Sequence, residues 1–141
     1  MFLLGFVFAN FVEWAIHKYL FHGFGKRKNS MFAFHLREHH RNCLRNKNKD
    51  GRYTFREFMG IVFLLLITFP LFLVSQWFYY GMCLYGALFL IVHKIVHTQV
   101  EFGRKWFPWH YEHHMKYPHY NMNVVIPIAD HILRSRKKLD K

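Results

Sequence analysis

A chain of 141 residues is one domain at most, yet 52% of it is hydrophobic and 17 residues are Phe, more apolar surface than a soluble domain of this size can bury. The net charge of +12 does not point to nucleic acid, because the basic residues flank apolar runs, as they do where a membrane surface presents anionic headgroups. The expectation is a single membrane-embedded domain over residues 1–141, an all-α bundle of about three transmembrane helices with a histidine-rich helical cap.

The first predicted element covers residues 1–21, "MFLLGFVFANFVEWAIHKYLF", apolar from Met1 to Val12 and carrying Glu13 and His17 towards its end. It has neither the basic leader nor the small-residue cleavage pattern of a secretory signal, so it is read as a retained helix. In "HKYLFH", His17 and His22 stand five apart, on different faces of a continuous helix unless it bends or ends at Gly23. Glu13 lies one turn before His17, placed to accept the proton of that ring's second nitrogen or to act as a plain interfacial carboxylate. "HLREHH" follows, with His35 and His39 at i and i+4 and His40 beside them. Glu38 is expected to face water or an arginine. "RNCLRNKNKDGR" reads as a polar loop turning at Asp50-Gly51.

Residues 59–92 contain no charged side chain, too long a stretch for one crossing of a hydrocarbon core about 30 Å thick and long enough for two. A helical hairpin is predicted, with helices over residues 57–74 and 78–97 and a turn within "SQWFYYG", residues 75–81. Pro70 is a candidate kink in the first of these helices. His93 and His97, in "HKIVH", stack at i and i+4 where the second one ends. "HYEHH" crowds His110, His113 and His114 onto one side of a helical turn. Three partly desolvated, mutually repelling rings pack poorly there, but they suit a shared cation. His119 and His131 fall outside these groups, as surface residues or as support behind the ligands, and "RSRKKLDK" reads as a solvated, membrane-proximal tail. Cys43 and Cys83 lie towards opposite ends of this topology, which excludes a disulfide between them, and their spacing does not suit a thiolate metal site.

No Lys or Arg precedes Lys18 and none lies between Arg56 and Lys94, so three crossings put all 20 of them on one side. By the positive-inside rule that side is cytoplasmic. The same crossings carry all four histidine groups to that face, although nothing in the charge distribution required it.

A metalloprotease is excluded, since neither paired group has a glutamate directly after its first histidine. A Gly-rich phosphate loop, a Ser-centred elbow and a paired-carboxylate constellation are all missing from the sequence. Ten clustered imidazoles exceed the needs of one ion, and two adjacent metals fit better. An all-nitrogen site of that kind at a membrane surface suits iron chemistry with dioxygen.

The order "HKYLFH", "HLREHH", "HKIVH", "HYEHH", with a transmembrane hairpin between the second and third, resembles the fatty acid hydroxylase superfamily, which also holds sterol desaturases and related carotene hydroxylases. The resemblance covers residues 13–135. It implies a membrane di-iron oxidoreductase that hydroxylates or desaturates a lipid C–H bond. The ligands implied are His17, His22, His35, His39, His40, His93, His97, His110, His113 and His114, with no catalytic residue separate from them. Two iron ions are implied, which zinc can replace in a purified sample, and O2 is the co-substrate. A lipid substrate from the bilayer and a separate electron donor of ferredoxin or cytochrome type complete the set. The tail "NMNVVIPIADHILRS" keeps the family's Asn121 and Asp130, the latter expected to orient a ligand histidine from behind or to cap the next turn. Asn123 stands where glycine is usual, which is tolerable if the position is left-handed, since Asn is the next-best residue there.

The sequence departs from the family in two further respects. "HLREHH" has one residue more than the usual HxxHH, enough to rotate a ligand out of place, and the chain starts within the first recognisable helix, as a minimal core or a truncated one. The alternatives are a carotenoid ring hydroxylase of the same chemistry and, from another class, a non-catalytic metal-binding membrane protein.

Overall fold

The computed structural model describes residues 1–50 and 55–137, and regular structure among them is entirely helical. Helix α1 spans Phe2–Ala15 and continues as a π-helical segment, Ile16–Phe21; a second π-helical segment, His35–His40, runs directly into α2, Arg41–Arg45. Then come α3 (Phe55–Ile67), α4 (Pro70–Val74) and α5 (Gln76–Thr98). Helices α6 (Val100–Trp106), α7 (Pro108–Met115) and α8 (Ile128–Ile132) complete the order.

Helix α5, with 23 residues, is the one helix among those described that is long and apolar enough to cross a membrane. Ser75 starts it, in the extended region, with its hydroxyl accepting the Phe78 N–H at 3.3 Å. The predicted turn therefore tightens to one residue, and α5 begins earlier than expected. The preceding helix, expected to be continuous over 57–74, is divided at Thr68 and Phe69 into α3 and α4. Pro70 has no N–H to give and its ring crowds the carbonyl four residues back, so it opens a new helix at the first position it tolerates.

Helix α1 packs along α5, and glycines set the approach. A Cβ added at Gly5 would lie 1.9 Å from the Phe78 carbonyl oxygen, and one at Gly81 would lie 2.1 Å from that of Phe2. Backbone thus meets backbone, as small residues permit in helix pairs that have lipid for a solvent. Helices α3, α4 and the outer face of α5 expose Phe63, Leu66, Leu73, Val74, Trp77 and Ile91. A surface that apolar matches a hydrocarbon environment.

The C-terminal segment folds back on α1 around Trp14, Met122 and Ala129. Asn10, fully buried, accepts the Ala129 N–H at 2.9 Å and donates to the Ile126 carbonyl at 2.7 Å. Trp14 Nε1 donates to Ser135 Oγ at 2.7 Å. The basic tail is therefore not simply solvated: Arg136 pairs with buried Glu112 at 3.2 Å, and the remainder, 138–141, lies outside the described residues.

Candidate metal centre

The spacing of the histidines makes sense once the local helix type is known. His17 and His22 are five apart, and the His22 N–H donates to the His17 carbonyl at 2.9 Å, the i to i+5 bond of a π-helix. Five residues are then about one turn, and the two rings come to 5.1 Å between centroids. The second π segment does the same for His35 and His40, whose Nε2 atoms are 3.2 Å apart. The extra residue of "HLREHH" does not turn a ligand away, because the wider helix absorbs it. In α5, His93 and His97 keep the ordinary i, i+4 relation, and in α7 so do His110 and His114.

The ten histidines divide into two adjoining clusters. In the first, His17, His22, His35, His40 and His113 bring one nitrogen each to within 4.8 Å of all the others. His39, His93, His97 and His114 do so in the second, and His110 joins them with its Nε2 3.1 Å from both His97 Nε2 and His114 Nε2. Each adjacent pair is split: His40 and His113 face the first cluster, His39 and His114 the second. The clusters meet where the His40 and His114 rings approach to 4.3 Å.

Proton placement shows that these nitrogens are poised for a cation. His113 Nδ1 lies 2.7 Å from the Tyr120 carbonyl, His17 Nδ1 faces the Met122 carbonyl, and His97 Nδ1 is 3.0 Å from the Asn48 carbonyl. A carbonyl can only accept, so each Nδ1 carries the proton and each Nε2 is bare. Yet His113 Nε2 faces Nε2 of both His22 and His40 at 3.1 Å, and His17 Nε2 faces that of His35 at 2.9 Å. His35 Nε2 and His40 Nε2 are also 3.2 Å apart, so no placement of protons on His35 and His40 satisfies the run His17–His35–His40–His113, and at least one contact sets like against like. A metal with nitrogen ligands at about 2.0–2.1 Å sets neighbouring ligand atoms about 3 Å apart, the separation found here. The donor set fits a metal.

Burial keeps the rings in the ligand form. Desolvation, followed by the charges of neighbouring rings, holds His35, His40, His110, His113 and His114 well below the ordinary histidine value. His22 is lowered to about 4, by desolvation first and then by His119 and Lys26. His119 and His131 are exposed, outside both clusters. Among the described residues the Nδ1 atoms of His110 and His114 have no hydrogen-bond partner.

The residues expected behind the ligands act at one remove. Glu13 does not touch His17; its carboxylate accepts from Tyr85 Oη, from Asn123 Nδ2 at 3.0 Å and from the Val124 N–H at 2.7 Å. The ring proton goes to Met122 instead, because the returning tail lies closer to it than the preceding turn does. Asp130 does not reach a histidine either: it accepts the N–H groups of Met122 and Asn123 at 3.0 and 2.8 Å, and the Ser135 hydroxyl at 2.7 Å. Together they clamp the strand of chain whose carbonyls hold His17 and His113. Asn121, at φ 59°, is in the left-handed region, and Asn123 is not. The Asn121 side chain bridges Glu112, Arg136 and Lys137.

The loop after α2 contributes more than its polar sequence suggests. Besides the Asn48 carbonyl on His97, the Asp50 carboxylate lies 3.1 Å from His39 Nδ1; from α2 itself the Cys43 thiol lies 3.6 Å from His97 Nδ1. Gly51, the other half of the predicted turn, lies outside the described residues. Lys47 and Asn48 both have positive φ, and that pair of left-handed residues returns the loop to the cluster. An Asn followed closely by Asp was the signal available in the sequence.

The fatty acid hydroxylase family model matches residues 2–135. No curated protein and no solved structure matches the chain.

Proposed function

The chain belongs to the fatty acid hydroxylase family, and from that premise we propose that it is a membrane-bound di-iron oxygenase acting on a lipid C–H bond. The observation that carries this is the pair of adjoining five-histidine clusters with their ring nitrogens converging on each other. One iron would sit in each cluster, with His17, His22, His35, His40 and His113 holding the first and His39, His93, His97, His110 and His114 the second. Zinc binds the same donors and can occupy them in a purified sample. Bound there, two irons would supply the redox chemistry by which O2, two external electrons and two protons oxidise the C–H bond, yielding an alcohol and one water or, by loss of two hydrogens, an alkene and two waters.

The chain's own residues do the rest. Carbonyls of Tyr120, Met122 and Asn48 hold the outer ring protons, so the inner nitrogens stay free to bind. All ten histidines are buried, which keeps water away from the clusters. We assign three membrane passes, α1 with its π extension, α3 with α4, and α5, placing the clusters and the basic loops on the cytoplasmic face. The lipid enters sideways from the bilayer, and a separate ferredoxin or cytochrome delivers electrons.

The test is lipid mass spectrometry of cells expressing the wild-type chain and the His113→Ala chain, supplied with iron and a reductant system. A lipid shifted by one oxygen, absent in the variant, identifies a hydroxylase and its substrate class; loss of two hydrogens identifies a desaturase. Identical lipids in both, with two metals bound per wild-type chain, favour a metal-binding protein without this activity.

A further inference from the structure

The two clusters have different surroundings, and one of the differences is a charged residue. Of the groups found on the outer ring nitrogens, Tyr120, Met122 and Asn48 present neutral carbonyls, whereas Asp50 presents a carboxylate to His39 Nδ1 at 3.1 Å. Asp50 is also anchored through its backbone, its N–H donating to the His97 carbonyl at 3.2 Å. It therefore ties together two histidines of one cluster, His39 from the π segment and His97 from α5. The loop that carries it is held by the Asn48 N–H on the Cys43 carbonyl at 2.7 Å. The side chains of His39 and Asp50 are 8% and 7% exposed, so water screens the pair little.

A carboxylate on the far nitrogen makes an imidazole a stronger donor and fixes its orientation, and losing such a partner typically weakens metal binding about 10–100-fold. We propose that Asp50 is a positioning residue for one metal only, making the cluster of His39, His93, His97, His110 and His114 the tighter and first-filled of two unequal sites. The inference rests on the dinuclear reading above and adds an order of filling to it.

Cobalt(II) titration of the detergent-solubilised full-length chain tests it, since the metal's visible absorption reports its ligands. Wild type should bind two equivalents, the first more tightly. His113→Ala should retain the tight equivalent and His97→Ala should lose it. Asp50→Asn keeps an acceptor for His39 but removes the charge. It should weaken the first equivalent about 10–100-fold and change its absorption, leaving the second as it was, and Asp50→Glu should restore both properties. An unchanged first equivalent in Asp50→Asn overturns the proposal, and so does a tight equivalent that survives His97→Ala but not His113→Ala. Two equal equivalents in wild type contradict this inference alone. Failure to bind a second equivalent contradicts the dinuclear reading and the inference with it.

Discussion

His113 illustrates what a single residue does in this protein. Its outer nitrogen gives its proton to the Tyr120 carbonyl and its inner nitrogen faces two other rings, so its role is settled by what lies on either side. Without metal such a ring must remain neutral, and this has a consequence for stability. Burial lowers His22 to about 4 in the folded chain, against an ordinary value of 6.5 when unfolded. Between those values the unfolded chain binds a proton that the folded chain refuses. Stability is therefore full above about pH 6.5 and falls as the pH drops towards 4, by up to about 1.4 kcal/mol per pH unit for each ring so placed. The metal-free chain in detergent should melt at a lower temperature at pH 5.5 than at pH 7.5. A melting temperature that is level or higher at pH 5.5 would show that the rings are not buried neutral.

Among the elements, the π-helical segments were the hardest to foresee. Read on an α-helix, His17 and His22 fall on different faces, and the extra residue in "HLREHH" looks like a defect. On a π-helix both groups become the same device, an i, i+5 pair closing one turn. The cue was present in the sequence, because His17 to His22 and His35 to His40 have the same spacing, but periodicity reasoning has no π template to compare it with. By contrast His93, His97, His110 and His114 were legible at once, since they obey ordinary α spacing. The contact between α1 and α5 was legible only as apolar runs; that Gly5 and Gly81 bring the two backbones together needed coordinates. A methyl group at Gly81 would meet the Phe2 carbonyl oxygen at 2.1 Å, and backbone cannot move aside as a flexible side chain can. Gly81→Ala should lower stability by about 1–3 kcal/mol in thermal or denaturant unfolding, the usual scale of overpacking. Unchanged stability would mean that the helices do not approach this closely.

Across the whole molecule, the sites depend on residues far apart in sequence. Residues 120–124 close the first cluster, residues 46–50 close the second, and both segments read in the sequence as loop or tail. Their role was hidden because both contribute through backbone carbonyls, which every residue type has, with the Asp50 carboxylate as the one side chain added. Asp130 and Glu13 hold the first of these segments, and Asn121, Glu112 and Arg136 fasten the chain end beside it. What the sequence did reveal was the chemistry: ten clustered histidines, too many for one ion, in an order matched by a known family. The most direct test of the account is the metal content of the full-length chain purified from iron-supplemented cells. We predict two metal ions per wild-type chain, and one per chain after either His97→Ala or His113→Ala, because each variant opens a different cluster. One ion or none in wild type, or two still bound in both variants, would contradict a paired site built from these histidines.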